Sequence, residues 1–237
     1  MTICIAALAE NSTKLILAAD QMITANIPIA VEYETDDVPK IHEINDNGVA
    51  LAAGNALFAY EIIQNSIKKI INKKAEEIEQ LAEIVRTEYQ DYRRNHVIRT
   101  FFEPRGLSID TYYNLQNRLT PGLIGELDKQ LGSLNIKVDL IIAGYDSSGC
   151  HIFHISHPGN KISIDTIGYV CIGSGGPHAL YYLIDTDYNK KMSVKEVEKL
   201  VSEAKKRSEK SPGVGKGTTI IQLPRNNQTE GESDGKQ

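Results

Sequence analysis

Two near-continuous apolar runs open the chain, Ile3 to Ala9 and Leu15 to Ala19, parted by the turn-forming cluster Glu10-Asn11-Ser12-Thr13-Lys14. The pattern predicts a β-hairpin, and the lack of strict alternation predicts strands covered on both faces. Lys40-Ile41-His42-Glu43-Ile44 alternates polar and apolar, Asn45-Asp46-Asn47-Gly48 forms a turn, and Val49 to Ala53 returns as a second hairpin arm. At Asn55 the period lengthens. Leu57, Tyr60, Ile63, Ile67 and Ile70-Ile71 recur at helical spacing behind a capping asparagine, and Ile78, Leu81, Ile84, Val85 and Tyr89 do the same within the charged run Lys73 to Arg94.

Residues 96–120 read as irregular, and a helix is predicted over Pro121 to Leu134, started by its proline. Strands return at Val138 to Gly144 and His151 to Ser156 around the turn Asp146-Ser147-Ser148-Gly149, with a further hairpin arm or two over Ile162 to Ile172. Ser193 and Glu196 make a capping box for a helix that buries Val194, Val197, Leu200, Val201 and Ala204. Thr218 to Leu223 closes as a strand. The order of strands, helices, strands, helices and strand predicts a layered α+β protein. Residues 1–224 are expected to form one domain, and the polar tail 225–237, which lacks large apolar side chains, is expected to be disordered.

Composition narrows the function. Apolar residues at 41%, charged residues at 24% and a net charge of −5 describe an ordinary globular protein, with no basic stripe to hold a nucleic acid. Cys4, Cys150 and Cys171 are far apart and form no Cys-x-x-Cys pair, so neither a disulfide framework nor a zinc site is expected. The first apolar run is short and has no basic leader, and no apolar stretch approaches the ~20 residues of a membrane span, so the expected location is the cytoplasm.

Several suggestive patterns fail on inspection. Gly213-Val214-Gly215-Lys216-Gly217-Thr218 is not a phosphate-binding loop: glycine follows its lysine, and Lys210 stands where the upstream glycine belongs. Gly173-Ser174-Gly175-Gly176-Pro177 lacks the third glycine of a dinucleotide site, since position 178 is histidine. His151, His154 and His157 are split between two faces by the strand period, so no metal or other cofactor is expected.

Thr2 is the remaining candidate. Trimming of the initiator methionine would leave one residue carrying a hydroxyl and a free α-amine, which titrates near ~7.7–8.0 and can take the hydroxyl proton where a lysine near ~10.4 cannot readily do so. Most proteins that begin Met-Thr make no use of this. Asp20 ends the hairpin that Thr2 begins, and Lys40 begins the next strand; each is a plain strand terminus or a partner of the amine. If both reach it, Lys40 would lower the amine's pKa by like charge and help the hydroxyl ionise, with Asp20 fixing the lysine. Gly54, between a buried strand and a helix, is either a simple turn or an N–H donor for an oxyanion.

These residues resemble the β-type subunits of the proteasome, within the N-terminal-nucleophile hydrolases. The resemblance lies in Leu17-Ala18-Ala19-Asp20, Lys40-Ile41-His42-Glu43-Ile44, Ala50-Leu51-Ala52-Ala53-Gly54, Leu140 to Asp146, Ile172-Gly173-Ser174-Gly175 and Lys191 to Glu196, six blocks in family order. It implies a four-layer αββα sandwich of two antiparallel sheets between helices. By the same resemblance Thr2 would be the nucleophile, Asp20 and Lys40 its activating pair, Gly54 the oxyanion donor, and Ser174 and Ser211 supporting hydroxyls. Ile23, Thr24 and Ala25 would pair with an extended peptide, and Ala52 would floor a pocket for a large apolar side chain. Two departures are Ser208, where the family usually has aspartate, and Met22, which replaces a frequent arginine or lysine. The segment around Phe101 to Leu119 and the stretch after Ser193 that runs into Ser-Pro-Gly-Val-Gly at 211–215 resemble the bacterial self-standing homologues. The implied protein is a threonine peptidase in stacked homo-oligomeric rings, acting on peptides or unfolded proteins, with an ATPase partner left open. The alternatives are a ring whose activity is weak or lost, and an amidase or transpeptidase using the same nucleophile.

Overall fold

The computed structural model describes residues 2–26, 30–34 and 39–224. β1 (Cys4–Ala9) and β2 (Lys14–Asp20) form the first hairpin, with Cys4 opposite Ala19 and Leu8 opposite Leu15. Glu10, Asn11 and Ser12 turn the chain with φ of 51°, 57° and 66°. β3 (Met22–Asn26) and β4 (Ala30–Glu34) make a separate two-stranded ribbon. β5 (Ile41–Glu43) and β6 (Gly48–Gly54) form the second hairpin, and β7 (Val138–Asp146), β8 (Gly149–Ser156) and β9 (Asn160–Ser163) extend it to a five-stranded sheet in the order β5-β6-β7-β8-β9. β10 (Tyr169–Ile172) and β11 (Thr218–Leu223) flank the first hairpin in the order β10-β1-β2-β11. Every one of these pairings is antiparallel.

Three packed interfaces make the layers. One face of β1 and β2 (Cys4, Ala6, Leu8, Leu15, Leu17, Ala19) meets Val49, Leu51, Ala53, Ile141, Ala143 and Ile152 of the second sheet. Their opposite face (Ile3, Ile5, Ala7, Ile16, Ala18) lies beneath α5 (Gly176–Asp185) and α6 (Val194–Ser208), which contribute Ala179, Leu183, Val197, Val201 and Ala204. The outer face of the second sheet (Ala50, Leu140, Ile142, Phe153, Ile155) lies under α1 (Ala56–Lys73) and α2 (Ile78–Val97). The unbroken apolar runs of β1 and β2 follow from cover on both sides, and each fully buried Leu or Ile there contributes about 1.5–3 kcal/mol. The result is the αββα sandwich.

Local signals set the ends of the helices. Asn55 accepts the Phe58 amide at 3.2 Å to start α1, and Ser193 with Glu196 closes the capping box of α6. α4 (Pro121–Ser133) starts at its proline.

Three expectations need correction. Residues 98–118 are not irregular: a π-helical turn (Ile98–Phe102), two 3-10 turns and α3 (Ile109–Leu115) fold over a small core of Val97, Phe102, Tyr112 and Leu127. Elements this short repeat too few times for periodicity to show. α5 was not among the expected elements, although Pro177 suits a first helical turn. The two arms expected over Ile162 to Ile172 do not pair with each other: β9 closes a hairpin with β8, whereas the chain then crosses to the other sheet, where β10 pairs with β1. The tail 225–237 lies outside the described residues.

Candidate active site

The site gathers at the open ends of β1, β2 and β6. The side chain of Asp20, the last residue of β2, has no exposed surface. Its Oδ1 accepts from Lys40 Nζ at 2.6 Å and from the Ile3 amide at 2.9 Å. Its Oδ2 accepts from the amides of Met22 at 3.2 Å and Gly215 at 3.0 Å. A carboxylate without solvent thus gains an opposite charge and three backbone donors, the environment in which a buried anion is tolerated. The Lys40 side chain is 11% exposed, and its carbonyl accepts the Ala52 amide at 3.1 Å, which ties the lysine to β6.

Thr2 sits on the next peptide and is 8% exposed. Its N–H donates to Ser174 Oγ at 3.3 Å, and its carbonyl accepts the Gly175 amide at 3.2 Å. The loop that reaches it turns at Gly173, where φ is +94° and a Cβ would lie 2.2 Å from the Thr2 carbonyl oxygen. Ser211 is 9% exposed and donates from Oγ to the Ser174 carbonyl at 3.2 Å, bracing the same loop. Thr2, Asp20, Lys40, Ser174 and Ser211, over 170 residues apart at the extremes of the linked pairs, thus meet through a continuous set of hydrogen bonds.

Cys4 faces the pair from beneath, its Sγ donating to the Ala52 carbonyl at 3.4 Å. Burial pushes this thiol up to about 12, against the downward pull of the Lys40 charge and with the upward push of Asp20. It stays neutral and is no rival nucleophile.

Gly54 is exposed and has φ of +99°; a Cβ there would lie 2.0 Å from the Lys137 carbonyl oxygen, so only glycine fits the passage from β6 to α1. Ala52, two residues earlier, is half-buried and packs on the cluster beneath α1 and α2, which includes Phe58. Ile23, Thr24 and Ala25 belong to β3, where they stand opposite Tyr33, Glu32 and Val31, so β4 occupies one edge of that strand. Ser208 is fully buried, and its hydroxyl donates to the Ala204 carbonyl of its own helix at 2.9 Å.

Among the described residues no group of three His, Cys, Asp or Glu side chains is placed to hold a metal ion. His151 is engaged by Asp165 at 2.8 Å and Ser148 at 2.7 Å. No described helix is long and apolar enough to cross a membrane. Sequence reasoning missed the Gly215 amide; the signal was the glycine-rich stretch at 213–217, set aside once it failed as a phosphate loop.

A family model described as the proteasome subunit matches residues 131–220. That stretch is similar to proteasome subunits. No curated protein matches the chain. The matched stretch carries Ser174, Ser211 and Gly215, whereas Thr2, Asp20, Lys40 and Gly54 lie before it; Thr2 and Asp20 are hydrogen-bonded to it through Ser174 and Gly215.

Proposed function

We propose that the chain is a threonine peptidase of the N-terminal-nucleophile type. The observation that carries this reading is the Asp20 carboxylate, held at once by the Lys40 ammonium and by the amide next to Thr2, with the Ser174 hydroxyl at the Thr2 nitrogen. Removal of Met1 frees the α-amine of Thr2. That amine takes the hydroxyl proton while Oγ attacks the substrate carbonyl, and the nearby Lys40 charge favours the ionised oxygen. The Gly54 N–H offers a hydrogen bond to the oxygen that becomes negative. The C–N bond breaks, the departing amine takes the proton, and an ester on Thr2 remains. Water, giving a proton to the Thr2 α-amine, then attacks the ester; the C–Oγ bond breaks, the acid leaves, and the amine returns the proton to Oγ.

Ser174 and Ser211 orient the amine, the edge of β3 away from β4 receives an extended peptide, and Ala52 leaves space for a large apolar side chain. The similarity of residues 131–220 to proteasome subunits supports self-association into stacked rings enclosing the threonines. Incubation with an epoxyketone or β-lactone followed by intact-mass analysis tests the reading: an adduct on residue 2 is expected, and Thr2→Ala abolishes both adduct and turnover of fluorogenic peptides. Turnover unaltered by Thr2→Ala overturns it.

One observation favours a second reading, a ring-forming protein of weak or lost activity. The Ser208 hydroxyl is bonded back to Ala204 rather than supporting Thr2. Met1 retained on protein purified from cells would establish this second reading.

A further inference from the structure

Lys205 lies in the last turn of α6 with its side chain 2% exposed, while its neighbours Lys206 and Arg207 are exposed. Its Nζ donates to Glu209 Oε1 at 2.8 Å, to the Gly215 carbonyl at 2.9 Å and to the Lys216 carbonyl at 2.6 Å. An ammonium has three donors, and here each has an acceptor, which is what burial of the charge requires. Two of the three are consecutive carbonyls of one loop. A basic side chain that served only the helix dipole could remain in water at the helix end, as Lys206 and Arg207 do.

The loop so gripped is the one that supplies the Gly215 N–H to Asp20 Oδ2 at 3.0 Å. It is also held by the Val214 side chain, 7% exposed in the core, and by the Ser211 hydroxyl on the Ser174 carbonyl. Gly217 approaches Gln21 so closely that a Cβ would lie 2.0 Å from Gln21 Oε1. Lys205, the loop, Asp20 and Lys40 therefore form one chain of contacts that ends beside Thr2.

We propose that Lys205 is a positioning residue: by holding the carbonyls of Gly215 and Lys216 it aims the Gly215 N–H at Asp20 and fixes the carboxylate that presents its other oxygen to Lys40 and the Ile3 amide. This role rests on the threonine-peptidase reading. It gives the glycine-rich stretch at 213–217 a purpose unrelated to phosphate, since glycines let the backbone approach Asp20 and Gln21 closely.

The test compares wild type, Lys205→Met and Lys205→Arg as full-length, assembled protein. Measured are kcat and KM on a fluorogenic peptide, the rate of β-lactone addition to Thr2, melting temperature and amide hydrogen exchange over 211–217. Lys205→Met is expected to lower kcat and the labelling rate about tenfold or more, to leave KM within about twofold, and to speed exchange in the loop; Lys205→Arg, which keeps charge and donors, restores most of the rate. Lys205→Gln replaces Lys205→Met if the latter does not assemble, read in the same way. A lower melting temperature with unchanged kcat and labelling rate overturns the positioning role and leaves a structural lysine. A wild-type chain that gives no adduct on Thr2 overturns the peptidase reading and this role with it, whereas a wild type that labels and a Lys205→Met that labels as fast overturn this role alone.

Discussion

Replacing Asp20 with asparagine changes one atom group and keeps the volume, so its effect isolates charge and hydrogen bonding. In the native protein the two carboxylate oxygens accept four donors: Lys40 Nζ and the Ile3 amide on one, the Met22 and Gly215 amides on the other. An asparagine must turn its NH2 toward one of these pairs, so two donors lose their acceptor and face another donor. The Lys40 ammonium, 11% exposed, also loses its counter-charge. Removing one partner of a buried ion pair costs about 3–5 kcal/mol. For a chain of 237 residues, with about 2–4 °C lost per kcal/mol, the melting temperature should fall by roughly 6–20 °C. Lys40→Met is expected to cost less, about 1–3 kcal/mol, because three backbone amides still solvate the carboxylate. The assay is scanning calorimetry of all three proteins at one concentration and in one oligomeric state, since assembly shifts the transition. An Asp20→Asn protein melting within about 2 °C of wild type, or below which Lys40→Met melts, would refute the reasoning.

Gly173→Ala should drive a methyl group against the Thr2 carbonyl, 2.2 Å away, from a backbone already at φ +94°. A loss of at least about 1–3 kcal/mol in stability is expected with a fall in peptide turnover larger than tenfold, and unchanged kinetics would contradict the close approach. Burial holds the His42 imidazole below its ordinary value. The unfolded chain therefore binds that proton more readily than the folded one. Stability should be full above about pH 6.5 and decline as the pH falls through that value, and His42→Gln should flatten the decline measured by urea titration. His157, shifted the same way by burial and then by Arg93, leaves part of the slope in place.

Most of the fold was legible because its signals are repeated. β1 and β2 offer eleven apolar positions, and α6 declares itself through Ser193, Glu196 and the buried face that follows. α5 was not legible, since Gly176 and Pro177 at its start read as a break while its ten residues hold under three turns. The register that sends β9 and β10 to different sheets depends on long-range packing that no local pattern encodes. Within the site, Thr2, Asp20 and Lys40 were nominated by residue type and by the ends of strands. The Gly215 amide was not, because a backbone donor leaves no trace in the identity of a residue. Lys205 looked like any solvated lysine of a helix end; only its burial, read from three dimensions, sets it apart.

The four donors to Asp20 come from residues 3, 22, 40 and 215, and β2 itself pairs with β11, so the carboxylate waits for a segment made 195 residues after it. A nascent chain emerges from the ribosome in order, its first hairpin long before α6 and the loop behind it. Polypeptides truncated upstream of Gly215 hold Asp20 and Lys40 without the amide and the strand that seat them. Such shortened products therefore lack the last contacts that complete the seat of the carboxylate.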